Sequence, residues 1–289
     1  MGEDFYQAFA EARQVFERAS AATGLDLADL CFTESEKLDL TEYTQPCILT
    51  CEIAMLESLK AHFGLSFTVA AGHSLGEYTA LVAANVVPLE SAVQIVRERG
   101  ALMQKAVPAG EGSMVALKLP GIIERPEVAQ VCENFAVDIA NLNSPDQVVI
   151  SGPADGVKSA AHELSSRISG LEAIFLTVSA PFHSRLMQGI EREFAAVLAS
   201  HQHALQPEKA EQVLSNYTGK FHQAPTLLES LTRQISGSVR WVENMECIKA
   251  AGLGVIEIGP NRPLGAFFRS VGVEARSILS VRTAEKVLK

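Results

Sequence analysis

The sequence predicts an α/β protein in which a small sandwich of strands and helices is inserted into a larger layered part. Segments with apolar residues at helical spacing alternate with short apolar runs in the first and last thirds of the chain. The middle third instead follows the order strand, helix, strand, strand, helix, strand. A length of 289 residues suits one large domain or one domain carrying an insertion.

The larger part is predicted from helices that alternate with strands. Asp4 and Gln7 have capping-box spacing, and a helical pattern follows to about Ala22. Further helices are predicted at 46–63, 75–85, 90–106, 185–200 and 238–251, and strands at 67–71, 213–215, 255–258 and 276–281. We therefore expect residues 1–108 and 181–289 to form one α/β layer structure with a mostly parallel sheet.

The middle of the chain has a pattern of its own. Strands are predicted at 114–119, 137–141, 147–151 and 173–178, and helices at 126–135 and 154–168. This βαββαβ order is the ferredoxin-like pattern. The sequence thus predicts a small ferredoxin-like subdomain at 109–180.

Composition excludes several classes of function. The net charge of −10 argues against nucleic acid as the main partner. The longest nearly apolar run, 80–89, is far shorter than the ~20 residues of a membrane span, and the acidic N-terminus lacks the features of a secretory signal. Five scattered cysteines are typical of reduced buried thiols. We expect a cytoplasmic protein that binds neither nucleic acid nor membrane.

The first candidate for chemistry is a serine in a tight turn. Residues 72–76 fit G-x-S-x-G between an apolar strand and a helix, where a nucleophile elbow belongs. Ser74 would then stand at a helix N-terminus, with the N–H of Leu75 as the natural donor to a developing oxyanion. The pentapeptide alone fits equally an ordinary strand–turn–helix with a capping serine.

A serine nucleophile needs a base, and His183 is the best placed of seven histidines. It follows an apolar strand and precedes a helix, and strand-end loops are where α/β sites form. The other histidines lie in polar stretches, at helix ends, in a loop, or in the serine turn itself. Position alone leaves a structural role for His183 open.

Residues 72–78 read Gly-His-Ser-Leu-Gly-Glu-Tyr, which resembles the nucleophile motif of malonyl-CoA:acyl-carrier-protein transacylases and polyketide synthase acyltransferases. Further stretches resemble the same family in the same order and cover nearly the whole chain. They are 44–46, 97–100, 103–104, 112–114, 143–145, 147–152, 182–187, 233–234, 239–241 and 257–260. Several motifs in the right order are far more specific than any one of them.

The resemblance implies an α/β-hydrolase-like larger subdomain and a transfer reaction. A malonyl group would pass from malonyl-CoA to the phosphopantetheine thiol of an acyl carrier protein through an ester on Ser74. His183 would be the general base and then the general acid, oriented by a backbone carbonyl. Arg99 would bind the malonyl carboxylate, and Gln234 would lie near the histidine. Arg97 and Arg99 are two residues apart on one helix, so they face different sides.

Two further substrate-binding residues are implied by the resemblance. Asn143 belongs to the motif of the central hairpin. Phe182 precedes the histidine, where a bulky residue accompanies malonyl and a small serine accompanies methylmalonyl. No metal or cofactor is implied beyond the coenzyme A and phosphopantetheine that the substrates carry. Malonyl-CoA and an acyl carrier protein are the expected partners of a monomeric enzyme.

One departure concerns the start of the sequence. The family pattern opens with a strand and a Gly-Gln-Gly-Ser-Gln-like turn, which supplies a second oxyanion N–H. The residues from Met1 and Gly2 resemble those after that turn, so a core strand and a donor are expected to be missing. Restoring that strand is expected to raise stability and activity. Two alternatives stay open: an acyl hydrolase of the same fold, which would not need Arg99, and a weakly active carrier-protein-binding form.

Overall fold

The first part of the chain is helical. In the computed structural model, which describes residues 1–108 and 110–288, six α-helices precede the first strand. They are α1 (Glu3–Ala8), α2 (Ala10–Thr23), α3 (Leu27–Phe32), α4 (Thr41–Phe63), α5 (Gly76–Ala83) and α6 (Leu89–Ala106).

The single helix predicted from Asp4 onward is divided, which corrects the prediction. Phe9 between α1 and α2 has an extended backbone (φ −125°, ψ 138°). Its ring packs on those of His62 and Phe63, with centroid distances of 4.6 and 6.4 Å. Asp4 does not cap the helix; its carboxylate accepts a hydrogen bond from the N–H of Val281. Tertiary packing thus overrides the local capping pattern.

Helix α4 is the centre of the main core. Helices α2 and α6 pack against it, and its side chains are buried on nearly every face. Leu49, Ile53 and Leu59 are among its core residues, and each such burial contributes ~1.5–3 kcal/mol. Although α4 has 23 residues, neither it nor any other described helix combines the length and apolar character that crossing a bilayer requires.

The middle of the chain forms a four-stranded antiparallel sheet. Its elements are β1 (Gly112–Lys118), α7 (Pro126–Asn134), β2 (Asp138–Ser144), β3 (Gln147–Pro153), α8 (Ala154–Arg167) and β4 (Glu172–Phe175). The strand order is β2-β3-β1-β4, and every pairing is antiparallel. Val115 and Ile150 on one face pack with Val131 and Leu164 of the two helices, which gives this segment its own buried cluster. The predicted element order is confirmed, although the last strand ends at Phe175.

The last part of the chain returns to alternating helices and short strands. It contains α9 (Glu191–Ser200), α10 (Leu227–Arg233), α11 (Trp241–Ala250), β5 (Val255–Ile258), α12 (Leu264–Ser270), β6 (Ala275–Ile278) and α13 (Val281–Leu288). A 3₁₀ helix at Arg185–Ile190 replaces the first turns of the helix predicted at 185–200. Strands β5 and β6 pair in parallel, with Val255 opposite Ala275.

The mostly parallel sheet is formed only in part within the described residues. Besides the β5–β6 pair, the strands predicted at 67–71 and 213–215 join each other through one parallel bridge, Ala70 with Val213, while Leu214 forms an antiparallel bridge with Phe221. A cavity of about 910 Å³ lies against both the 65–71 segment and β5. Ala70 directs its N–H and C=O toward residues 212 and 214, so the polar groups of Val69 and Ala71 point away from that bridge. The sheet is interrupted because no described strand occupies this space.

Candidate active site

Ser74 sits in a strained turn between the 65–71 segment and α5. Its φ of +51° lies in the left-handed region, which is unfavourable for a residue with a side chain. A Cβ on Gly72 would lie 2.1 Å from backbone atoms of Gly76, so the turn requires glycine there. Asn216 ties the turn together: its Oδ1 accepts from the Ser74 N–H (2.5 Å) and its Nδ2 donates to the Gly72 carbonyl (2.9 Å). The turn therefore holds the serine hydroxyl in a fixed place.

His183 meets Ser74 from the other side of the site. Its Nε2 lies 2.7 Å from Ser74 Oγ, and its Nδ1 donates to the carbonyl of Gln234 (2.8 Å). This second bond places the ring proton on Nδ1 and leaves Nε2 free to accept a proton from Ser74. Burial, together with the charge of Arg99, lowers the pKa of His183 to about 3. The imidazole is thus neutral and can act as a base.

Arg99 extends from α6 into the same site and is only 2% exposed. Its Nη1 donates to Gln45 Oε1 (2.8 Å), and its Nη2 donates to Gln234 Oε1 (2.9 Å) and Ser74 Oγ (3.2 Å). Its Nε–H is buried and has no partner among the described residues, and no carboxylate there forms an ion pair with it. A buried cation without a paired anion is costly, so the arrangement is suited to an anionic ligand.

The two arginines of the α6 motif face opposite ways. Arg97 donates to the carbonyl of Thr23 (2.6 Å) and pairs with Glu42 (3.6 Å) at the surface. Arg99 instead packs over the ring of Tyr78, 5.5 Å from its centroid. Burial lowers the pKa of Arg99, while Tyr78 and the acidic side chain of Glu77 act in the opposite direction. The predicted division into one inward and one outward arginine is confirmed.

The N–H of Leu75 is free at the serine turn. The neighbouring amides of Gly76 and Glu77 donate to the carbonyls of His73 and Ser74, whereas that of Leu75 has no acceptor within residues 1–108 and 110–288. A free amide next to the nucleophile is what an oxyanion donor requires. This geometry agrees with the position expected from the sequence.

Phe182 and Asn143 are placed differently from the other predicted residues. Phe182 precedes His183 and packs between the main core and the sheet face that carries Met114. Asn143 Oδ1 pairs with His73 Nε2 (2.8 Å), and its Nδ2 donates to Gln147 (2.8 Å). Among the described residues, Asn143 makes no hydrogen bond to the serine, the base or the arginine of the site; it lines the large cavity instead.

Sequence reasoning missed several polar residues that support the site. Gln45 lies in a stretch that the family resemblance includes, yet only the structure shows it bonded to Arg99. Asn216 follows a short apolar run, which is the available sign of a strand-end position. His222, assigned only to a loop, is fully buried against Glu77. Within the part of the chain that the structure describes, no cluster of three or more His, Cys, Asp or Glu could hold a metal.

Comparisons with known proteins agree on one family. Residues 1–263 match the model described as an acyl transferase domain. A malonyl CoA-acyl carrier protein transacylase of Bacillus subtilis (strain 168) is 37% identical over 284 residues, which cover 96% of this chain and 88% of that protein. The transacylase of the same name from Clostridium perfringens has a solved structure with a TM-score of 0.91 at 33% identity, covering 100% of this chain and 91% of that one. A chain in the structure of a type II polyketide synthase acyl-carrier protein in complex with its malonyl-transacylase gives 0.91 at 32% identity, covering 100% of this chain and 94% of that one.

Proposed function

Because the chain belongs to the acyl transferase family, we propose that it transfers a malonyl group from malonyl-CoA to the phosphopantetheine thiol of an acyl carrier protein. The relatives are named for this reaction, and one similar structure contains an acyl-carrier protein with its malonyl-transacylase. One observation carries the proposal in this chain: the Ser74–His183 hydrogen bond lies beside Arg99, a buried cation without an ion-pair partner among the described residues.

In the first half of the reaction, Ser74 Oγ attacks the thioester carbonyl of malonyl-CoA while its proton passes to His183 Nε2. The carbonyl oxygen becomes an oxyanion, which accepts a hydrogen bond from the N–H of Leu75. When the carbon–sulfur bond breaks, the imidazolium returns the proton to the leaving thiolate. The low pKa of His183 makes that imidazolium a strong acid and so favours release of coenzyme A.

In the second half, the phosphopantetheine thiol of the carrier protein attacks malonyl-Ser74. His183 takes the thiol proton and later gives it to Ser74 Oγ, which leaves a new thioester and the free enzyme. One thioester is exchanged for another, so the equilibrium constant of the transfer lies near unity. No group beyond the chain's own residues and the substrates' coenzyme A and phosphopantetheine takes part in this scheme.

Arg99 selects the malonyl group in this proposal. A planar guanidinium matches a carboxylate bidentately, and the buried Nε–H that lacks a described partner is available for this contact. Gln234 holds the guanidinium through Oε1 and the imidazole through its carbonyl. Phe182, next to the base, limits the space for a branched acyl group. Asn143 lies on the cavity side and supports the substrate site indirectly, through its hydrogen bond to His73 in the serine turn.

We also propose the finer organisation of the chain. Residues 109–180 make a ferredoxin-like subdomain inserted into an α/β-hydrolase-like subdomain of residues 1–108 and 181–289. The antiparallel β2-β3-β1-β4 sheet and its separate buried cluster support the first part. The serine turn and the parallel β5–β6 pair support the second. The enzyme is proposed to act as a cytoplasmic monomer, and its five free thiols suit a reducing compartment.

Incubation with radiolabelled malonyl-CoA tests the function directly. The wild-type protein should acquire a stable label that passes to a phosphopantetheinylated carrier protein. Ser74→Ala should abolish labelling, and His183→Ala should slow it by several decades because the alcohol then lacks a base. Ser58→Ala is the matched control, since this serine is buried in α4 and its hydroxyl bonds, among the described residues, only to the carbonyl of Ala54.

The same assay separates the alternatives. Rapid release of free malonate would identify a hydrolase. A wild-type protein that binds carrier protein but never acquires label would identify a binding form without transfer activity. Normal labelling of Ser74→Ala would overturn the assignment of the nucleophile.

A further inference from the structure

Glu77 is a buried carboxylate beside the site that the proposed mechanism does not use. It lies in the first turn of α5 and is 0% exposed. No Lys or Arg among the described residues forms an ion pair with it; its one ionisable partner is His222, which is equally buried. A carboxylate removed from water without a cation is strongly destabilising unless hydrogen bonds replace its hydration. Its presence therefore calls for a physical reason.

Three donors hold the Glu77 carboxylate in place. His222 Nε2 donates to Oε1 at 2.7 Å. The backbone N–H of Asn216 and the side-chain Nε2 of Gln234 donate to Oε2 at 2.9 and 2.7 Å. Asn216 is also the residue that ties the serine turn, so Glu77 connects this turn to Gln234. One carboxylate oxygen is thereby fixed toward the Gln234 amide.

The contact with Glu77 decides which way the Gln234 amide points. A carboxylate only accepts hydrogen bonds, so it must face the NH₂ end of the amide. The same NH₂ also donates to the Ser74 carbonyl (3.0 Å), and the oxygen end is left to accept from Arg99 Nη2 (2.9 Å). The opposite orientation would put the NH₂ against the guanidinium, donor against donor. It would also put the amide oxygen against the carboxylate.

We propose that Glu77 is a positioning residue for malonyl selection: it fixes the Gln234 amide with its oxygen toward Arg99 and thereby orients the guanidinium for the malonyl carboxylate. This inference rests on the proposed function and assigns to Glu77 an effect on the acyl group that is chosen. It does not make Glu77 a catalytic residue, because Glu77 touches neither Ser74 Oγ nor the imidazole of His183.

Glu77→Gln is the variant that tests this role. Glutamine keeps the size of the side chain, and its oxygen can still accept from the Asn216 N–H that supports the serine turn. Its contact with the Gln234 NH₂, however, loses the carboxylate charge that fixes the amide. Part of the population would then present an NH₂ group to Arg99. We expect kcat/KM for malonyl-CoA to fall about 10- to 100-fold relative to kcat/KM for acetyl-CoA, the effect of one charged hydrogen bond. Acetyl transfer should change little, since acetyl has no carboxylate to orient.

Glu257→Gln is the matched control. Glu257 is also a buried carboxylate with three donors, the N–H groups of Leu264 and Gly265 and the hydroxyl of Ser277. Its substitution should lower Tm, while the ratio of kcat/KM for malonyl-CoA to kcat/KM for acetyl-CoA stays at the wild-type value. A folded Glu77→Gln protein with an unchanged ratio, or with equal losses for both substrates, would overturn the inference. Wild-type protein that never acquires a malonyl label would instead overturn the proposed function on which the inference rests.

A measurement on the wild-type protein requires no change at Glu77. In protein labelled with ¹⁵N-glutamine, the side-chain NH₂ of Gln234 can be assigned by its loss in Gln234→Met. It should give one set of signals with slow solvent exchange, because its protons are bound by Glu77 and the Ser74 carbonyl. Two sets of signals or fast exchange would show that the amide is not fixed and would overturn the inference.

Discussion

Arg99→Ala separates substrate selection from catalysis. The guanidinium is 2% exposed and donates to two amide oxygens and to Ser74 Oγ. If it binds the malonyl carboxylate, its removal leaves that carboxylate buried without a partner, at a cost of ~2–5 kcal/mol. At ~1.4 kcal/mol per decade, the expected loss of kcat/KM for malonyl-CoA lies between about 30-fold and a few thousand-fold.

The assay compares malonyl-CoA with acetyl-CoA in transfer to the same carrier protein. Acetyl has no carboxylate, so its kcat/KM should hold or improve, and the malonyl-to-acetyl ratio should fall by the factor above. Loss of Arg99 also leaves the oxygens of Gln45 and Gln234 without this donor, so Tm should fall and assays belong well below it.

Arg97→Ala supplies the control from the same helix. Arg97 is half-buried at the surface, where it contacts Thr23 and Glu42 and lies outside the site. Its substitution should leave the malonyl-to-acetyl ratio unchanged. Equal losses of malonyl and acetyl transfer in Arg99→Ala would mean that Arg99 supports the structure of the site and does not select the acyl group.

The buried titratable groups and the cavity set three further expectations. Burial, helped by Arg99, lowers the pKa of His183 to about 3, so kcat/KM for malonyl-CoA should stay constant from about pH 8 to about pH 5; a loss centred near 6.5 would contradict a neutral buried base. Burial raises the pKa of Glu52 from its ordinary value of 4.5 to about 7. The stability that its protonated form contributes is therefore fully present below pH 4.5 and is lost as pH rises through 7. Thermal unfolding should show Tm falling over that range in the wild type and falling less in Glu52→Gln, and equal slopes would refute the assignment. An extended apolar segment of about five residues fused ahead of Met1 should raise Tm by filling the cavity beside β5, whereas the same segment carrying prolines should not; equal Tm values would show that the cavity stays unfilled.

Local patterns predicted the elements of the fold better than their pairing. The order of β1 to β4 with α7 and α8 follows from apolar periodicity, and this order limits the possible topologies. Strands β2 and β3 pair as neighbours in the chain, whereas β1 pairs with β3 and β4. The parallel sheet depends on partners distant in sequence. The apolar run at 67–71 predicted a strand, yet within the described residues only Ala70 forms a β-bridge. The space between this segment and β5 holds no described strand that could pair with the rest of it.

The site shows the same division between local and distant information. The strand–turn–helix context selected Ser74, and the strand-end position made His183 a candidate 109 residues away, but only the structure brings them within 2.7 Å. The carbonyl of Gln234 leaves no signature in the sequence, because every residue has one. The sequence identified Glu77 only as a member of the serine motif, since neither its burial nor its contact with Gln234 can be inferred from spacing.

The strain of the site and its chemistry have a common origin. Ser74 and His183 both adopt left-handed backbone conformations, with φ of +51° and +56°, at a cost of ~1–3 kcal/mol each. Asn216 holds the first turn and the carbonyl of Gln234 holds the imidazole, and Glu77 bonds to both of these residues. One buried carboxylate thus contacts both supporting residues, through the N–H of Asn216 and the side chain of Gln234. A substitution that removes both carboxylate oxygens would act on the serine turn and on the arginine contact together, whereas Glu77→Gln keeps an acceptor for the Asn216 N–H and so acts mainly on the choice of acyl group.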